Sequence, residues 1–143
     1  MIELFGHPFS SYTWKALIPL YETDTPFKFR VLESDLPDNA AALAAVWPVG
    51  KFPVLLDTGE PIIEASIIVE HVAPHFVPAD RDAAREVRML DRVFDNHVMN
   101  VMTQVVMAAI RGGDVGAARA EAGAAIDKVY GWLDARLLHD HRR

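Results

Sequence analysis

The sequence predicts an α/β domain with the element order β-α-β-α-β-β-α, followed by an all-helical region. Over residues 1–76, short strand-like apolar runs alternate with segments of helical spacing, whereas beyond residue 80 only helical spacing remains. A short proline-containing stretch separates the two patterns. We therefore predict two domains, residues 1–76 and 81–143, joined by a linker over residues 77–80.

The first strand–helix–strand unit follows from the apolar pattern. Residues 2–5 form a short apolar run that ends at a glycine, which is typical of a buried strand. Ser10 and Ser11 provide N-cap chemistry for a helix that extends to about Tyr21. Residues 27–31 alternate apolar with basic side chains, which predicts a strand with one buried face.

The rest of this domain is predicted as a helix, a hairpin and a further helix. Asp38 or Asn39 can cap an alanine-rich helix that ends near Trp47. Residues 54–63 consist of two apolar runs around a turn-forming Asp-Thr-Gly centre, which predicts a hairpin. Residues 65–76 have helical spacing, with a proline that disturbs the end of the helix.

Two long helices account for the C-terminal region. Apolar residues keep helical spacing until a stop at Gly112-Gly113, which predicts one helix over residues 81–111. Asp114 is placed to cap a second helix that covers most of the remaining chain.

The composition excludes several classes of protein. With 51% hydrophobic and 24% charged residues, the chain has the balance of a folded globular protein. The net charge of −6 argues against a nucleic-acid partner. No apolar run predicts a membrane span or a signal peptide, so we expect a cytoplasmic protein without a membrane partner. Cysteine is absent, and His71 and His75 lack a third ligand, so no metal site is expected.

Three short segments carry chemistry that a ligand site would use. Ser10 precedes a helix whose unpaired N–H groups favour an anion or thiolate, although an isolated serine there is more often a simple cap. Pro53 opens a strand, and a cis bond before it would turn the Phe52 backbone outward toward an extended peptide; a trans edge-strand proline is the alternative. The segment Glu64-Ala65-Ser66 opens a helix, and the free N–H groups at the start of that helix can hold a carboxylate. Glu64 can pair with an ammonium group; the alternative is a helix cap with an exposed glutamate.

Taken together, the order and spacing of these segments resemble the N-terminal domain of glutathione S-transferases over residues 1–76. Residues 6–10 (Gly-His-Pro-Phe-Ser) are similar to the catalytic-serine loop of phi-class enzymes, and residues 10–15 resemble that of zeta-class enzymes. Residues 50–53 resemble the family's Gly-(Lys/Gln)-Val-Pro, whose proline is cis, and residues 64–68 resemble its Glu-Ser-x-Ala-Ile. The resemblance implies a thioredoxin-like fold followed by a helical domain.

The resemblance also implies roles for individual residues. Ser10 takes the position of the catalytic hydroxyl that activates the thiol of glutathione, the co-substrate, for attack on a small electrophile; Ser11 and Tyr12 are secondary candidates. The glutathione-binding residues are then Lys51, Phe52, Pro53, Glu64, Ala65 and Ser66.

The sequence departs from the family pattern in three ways. Ala65 stands where the family has a serine, so one hydrogen bond to the γ-glutamyl carboxylate is expected to be missing. Trp47 replaces the asparagine of the family's Asn-Pro-x-Gly run. The chain ends after its fifth predicted helix, so we expect a truncated helical domain that lacks much of the second-substrate pocket.

Two functions agree with these observations. The first is a glutathione transferase that acts in detoxification as a cytoplasmic homodimer, the dimer being expected from the apolar faces of the fourth helix. The second is a catalytically weak or inactive module that binds glutathione or a protein partner, which Ala65 and the shortened helical domain favour. The sequence does not identify the electrophile.

Overall fold

The computed structural model describes the backbone of residues 1–140 and the side chains of residues 1–138. The chain forms two compact units, of which the first comprises Met1–Arg81 and the second begins at Asp82. The elements of the first unit, in chain order, are β1 (Ile2–Gly6), α1 (Ser11–Glu22), β2 (Phe27–Val31), α2 (Pro37–Val46), β3 (Val54–Asp57), β4 (Glu60–Ile63) and α3 (Ala65–Val72). This is the predicted order β-α-β-α-β-β-α.

The four strands form one mixed sheet in the order β2-β1-β3-β4. Strand β1 runs parallel to β2 and antiparallel to β3, and β3 and β4 form an antiparallel hairpin. The hairpin turns at Thr58 and Gly59, whose φ angles of 50° and 92° are typical of a tight two-residue turn. The predicted hairpin is therefore confirmed.

The sheet has an apolar layer on each face, because successive strand residues point to opposite sides. Leu4 of β1 and Leu55 of β3 pack with side chains of α1 and α3, among them Leu20 and Ile68. Their neighbours in the chain, Phe5 and Val54, pack on the other face against Leu43 of α2. The apolar packing on both faces holds the C-terminal end of β1 beside the N-terminal end of β3.

The predicted cap of α2 is wrong. Helix α2 begins with Pro37 in its first turn, and Leu36 at the cap position makes no side-chain cap hydrogen bond. Proline suits this position because its missing N–H would have no partner in the helix. The Asn39 side chain instead donates to the Val31 carbonyl at 2.8 Å and accepts from Arg30 at 3.3 Å.

Arg30 also links the two parallel strands. Its guanidinium donates to the carboxylate of Glu3 on β1 and holds the pKa of that carboxyl below its ordinary value. Together with Asn39, this pair joins β1, β2 and α2 on one face of the sheet.

Of two predicted helices that contain a proline, the first ends within one residue of its predicted end and the second is divided. In α1, Pro19 is buried and the helix continues to Glu22, where the Thr23 N–H donates to the Pro19 carbonyl at 3.0 Å. The helix predicted over residues 65–76 is divided: α3 ends at Val72, and Pro74–Phe76 forms a separate 3₁₀ turn. A proline disfavours α conformation in the residue before it, which explains this break.

The second unit contains α4 (Arg81–Val93) except for its first residue, a π-helical segment (Phe94–Met99), α5 (Asn100–Arg111) and α6 (Val115–Asp140). The helix predicted over residues 81–111 is therefore continuous in backbone but changes its hydrogen-bond pattern in the middle. Helix α5 ends at Gly112 with a left-handed φ of 70°. Asp114 then caps α6 as predicted, accepting from the Ala117 N–H at 2.9 Å. No helix in residues 1–140 is both long enough and apolar enough to cross a membrane.

Candidate functional site

The sheet topology brings the three predicted segments to a single edge. Phe5 at the end of β1 pairs with Val54 at the start of β3, and Val54 pairs with Ile63 at the end of β4. The loop that carries Ser10 follows β1, Pro53 precedes β3, and Glu64 follows β4. Three segments that are separate in the chain, the first and last of them more than 50 residues apart, therefore lie at one end of the central strands.

Ser10 is the N-cap of α1. Its Oγ accepts from the Thr13 N–H at 3.3 Å, and its own N–H donates to the His7 carbonyl at 3.0 Å. The simple capping role that the sequence left open is thus present. It uses the hydroxyl oxygen as an acceptor, so the O–H hydrogen remains suited to donate to an anion beside the helix start.

The remainder of this loop is held by its own hydrogen bonds. The Phe9 N–H donates to His7 Nδ1 at 3.2 Å, and the Trp14 indole N–H donates to the Pro8 carbonyl at 2.6 Å. Ser11 and Tyr12, the secondary candidates, lie in the first turn of α1 and are half-buried.

The second segment has the backbone that the family resemblance implies. The Phe52–Pro53 peptide bond is cis. Pro53 is buried, Lys51 is exposed, and the Phe52 side chain is partly exposed. Phe52 precedes the paired residues of β3, so its backbone lies at the open end of the strand ladder.

The third segment has an unusual backbone at Glu64. This residue has φ 75° and ψ 125°, a region that non-glycine residues adopt at an energetic cost and most often at functional sites. Glu64 is exposed and makes no side-chain cap hydrogen bond to α3. Its carboxylate is therefore available to a ligand at the helix start.

The next two residues differ from each other in exposure and contacts. Ala65 is buried, with 5% of its surface exposed, so its methyl group offers little surface to a ligand. The half-buried Ser66 hydroxyl accepts from Lys15 Nζ of α1 at 2.9 Å. This contact adds positive charge at the N-terminal end of α3, where the helix dipole already favours an anion.

Sequence reasoning missed Thr13 and Lys15 as parts of this site. Thr13 is completely buried and bonds both Ser10 and the backbone of His7. Its position three residues after the N-cap was a signal that could have identified it. Lys15 and Ser66 lie 51 residues apart, and no local pattern indicates that they meet.

The residues predicted to form the site all lie at this edge, and none lies in the groove of the second unit. The second unit has an open groove of about 220 Å³ lined by Val93, His97, Lys128, Val129 and Trp132. Among the side chains of residues 1–138, no group of three or more possible metal ligands is found. His71 instead contacts the Asp57 carboxylate at 3.0 Å.

The chain is similar in sequence to proteins of one known family. Residues 4–79, more than half of the chain, match the family model of the glutathione S-transferase N-terminal domain. The chain is also 30% identical over 112 residues to glutathione S-transferase U10 of Arabidopsis thaliana. That match covers 73% of this chain and 47% of the relative, so the chain spans about half the length of this curated protein.

Solved structures show the same fold. A glutathione S-transferase of Methylobacillus flagellatus with glutathione bound has a TM-score of 0.78 and 23% identity, covering 94% of this chain and 69% of that one. The yeast protein Ure2p in complex with glutathione has a TM-score of 0.82 and 18% identity, covering 96% and 63%.

The fold class is therefore a thioredoxin-like domain with a mixed four-stranded sheet, followed by a helical region, as predicted. The chain belongs to the glutathione S-transferase family.

Proposed function

We propose that this chain binds glutathione at the sheet edge described above and activates its thiol for attack on a small electrophile. The observation that carries the proposal is the meeting of Ser10, the cis Phe52–Pro53 bond and Glu64 at one edge, in a member of the glutathione S-transferase family. The conjugation would serve detoxification. We propose a cytoplasmic location, because the cytosol keeps glutathione in the reduced form that this reaction would use.

Each segment would hold a different part of glutathione. The Phe52 backbone would pair with the cysteinyl unit as an added strand does, with Pro53 shaping the loop and Lys51 meeting the glycyl carboxylate. Glu64 would pair with the α-amino group. The N–H groups at the start of α3, at Ala65 and Ser66, would hold the γ-glutamyl carboxylate.

Ser10 would act on the sulfur. A free thiol has a pKa near 8.5, so only about a few per cent is ionised at pH 7. The Ser10 O–H and the positive end of the α1 dipole would stabilise the thiolate, with its proton released to solvent. The sulfur lone pair then forms a C–S bond, and the leaving group departs with the electrons of the bond that breaks.

One observation favours a second function, a module that binds glutathione with little or no turnover. Ala65 is buried and has no hydroxyl to donate to the γ-glutamyl carboxylate. Calorimetric titration with glutathione, followed by turnover of an activated aryl chloride, separates the two. Binding with turnover supports the transferase, whereas binding without turnover supports the module.

The glutathione pose leads to a prediction for Glu64. Glu64→Gln removes the negative charge opposite the α-amino group and should weaken glutathione binding about tenfold, as expected for the loss of one charge-assisted contact. Glu60→Gln is the matched control, because Glu60 is exposed on the adjacent strand β4. Calorimetry that finds equal affinities for both variants would rule out this role of Glu64.

We also propose that the protein is a homodimer. Helix α5 exposes Met102, Val106 and Ile110, which are four residues apart and therefore form one apolar stripe. Sedimentation velocity at micromolar concentrations should show a dimer that Val106→Asp/Ile110→Asp converts to a monomer. Ile18→Asp, a change at an exposed isoleucine of α1, should leave the dimer intact. A folded wild-type monomer over this range would contradict the proposal.

A further inference from the structure

We infer that Thr13 is a positioning residue: its buried side chain holds the Ser10 loop so that the Ser10 hydroxyl faces the thiol of bound glutathione. This inference rests on the proposed function and assigns a role to a residue that does not itself contact the ligand. Thr13 makes two hydrogen bonds within this loop.

Thr13 joins the two ends of the loop between β1 and α1. Its backbone N–H donates to Ser10 Oγ at 3.3 Å, and its Oγ1 accepts from the His7 N–H at 3.2 Å. The Ser10 N–H donates to the His7 carbonyl at 3.0 Å. His7, Ser10 and Thr13 therefore form a closed set of three hydrogen bonds in which Thr13 takes part twice.

In a common capping box, the side chain three residues after the N-cap returns to the N–H of the N-cap itself. Here the Thr13 hydroxyl reaches past Ser10 to His7, the first residue after β1. The bond consequently fixes the start of α1 to the end of a central strand. The position of Ser10 relative to the sheet edge thus depends on Thr13.

Packing reinforces this attachment. The Thr13 side chain has no exposed surface and rests directly on the backbone of Gly6. A Cβ atom at Gly6 would lie 2.5 Å from Thr13 Cγ2, a distance that no relaxed contact allows. Glycine at this position is what permits the threonine to approach the strand.

The bond of Ser10 with Thr13 also defines which way the serine hydroxyl can donate. With the oxygen accepting from the Thr13 N–H, the O–H hydrogen is directed away from the helix backbone. Without the Thr13 hydroxyl, the His7 N–H loses its acceptor and the loop can change its conformation. The Ser10 O–H would then donate to the glutathione sulfur less often, and a smaller fraction of the thiol would be ionised.

The other loop hydrogen bonds are less suited to this role. The Trp14 indole donates to the Pro8 carbonyl, but its side chain is largely exposed and water can replace the bond. The bond between the Phe9 N–H and His7 Nδ1 is likewise exposed. The contacts of Thr13, by contrast, combine full burial with a direct bond to Ser10.

The test measures the pKa of the glutathione thiol in the complex, from the ultraviolet absorbance of the thiolate as a function of pH. Thr13→Val keeps the shape of the side chain and removes the hydroxyl, and it should raise this pKa by about one unit, which lowers the ratio of thiolate to thiol about tenfold at a given pH. The dissociation constant of glutathione should change little. Thr13→Ser retains the hydroxyl and should restore the wild-type pKa even if it is less stable.

Two further variants separate positioning from general damage. Thr23→Val makes the same chemical change at the other end of α1, where the hydroxyl donates to the Pro19 carbonyl, and should leave the thiol pKa unchanged. In a Ser10→Ala background, Thr13→Val should cause no further shift, since both residues act through one hydroxyl.

The outcomes are distinct. A wild-type complex in which the pKa of the glutathione thiol is not lowered from its ordinary value would overturn the proposed function and this inference together. A wild-type complex with a lowered thiol pKa that Thr13→Val leaves unchanged would overturn the inference alone. An equal shift in Thr13→Val and Thr23→Val would also overturn it, because the effect would then be a general one.

Discussion

Ser10→Ala should lower the rate of glutathione conjugation by about 10²-fold, as removal of one donor from an oxyanion hole does. The serine hydroxyl is the donor that we assign to the developing thiolate, and alanine removes it without adding volume. The loss should appear mainly in kcat, with a smaller change in the affinity for glutathione, because the other two segments still hold the peptide. The loss of activity is measured as the steady-state rate at which an activated aryl chloride is conjugated at fixed pH.

Ser11→Ala is the matched control for this change. Ser11 is also half-buried and lies one residue further along, within the first turn of α1 rather than at its cap. It should retain most of the activity. The reverse result, full activity in Ser10→Ala and loss in Ser11→Ala, would transfer the catalytic role to Ser11.

Gly6→Ala should destabilise the protein by about 1–3 kcal/mol, the usual cost of forcing an extra methyl group into a packed interior. The added Cβ would lie 2.5 Å from Thr13 Cγ2 and 2.7 Å from Thr13 Oγ1, and Thr13 has no exposed surface into which it could move. Urea denaturation of the variant and the wild type measures the difference. Activity should also fall, since Thr13 and Ser10 would both be displaced.

A second glycine substitution should have the opposite sign. A Cβ at Gly123, within α6, would meet nothing within 4 Å. Gly123→Ala should therefore stabilise the protein by about 0.5–1 kcal/mol through the better helix propensity of alanine. A similar loss of stability in both variants would show that the close contact at Gly6 is not what makes alanine unfavourable there.

Most of the fold was predictable because its signals are local. Apolar runs, the turn at Thr58-Gly59, the cap at Asp114 and the stop at Gly112 each depend on a few neighbouring residues. The α2 cap was predicted wrongly because Asn39 forms its side-chain bonds with Val31 and Arg30, which belong to another element. Propensity rules cannot anticipate such tertiary partners.

The site was predictable only in outline. Three segments with separate local signals were recognised through their spacing, and the strand pairing of Phe5, Val54 and Ile63 brings them together. The contacts that hold them are long-range or buried: Lys15 with Ser66, and Thr13 with Gly6. The strained backbone of Glu64 likewise follows from its surroundings and not from its residue type.

The central claim is that glutathione binds at the edge formed by the Ser10 loop, the Phe52–Pro53 segment and the start of α3. The most direct test is a titration of isotope-labelled protein with glutathione, observed through its backbone amide NMR signals. We predict that the shifted signals fall in residues 7–13, 51–54 and 64–67, whereas those of Val93, Val129 and Trp132 in the groove of the second unit stay unchanged. Shifts confined to the groove, or no shifts at millimolar glutathione, would contradict the account.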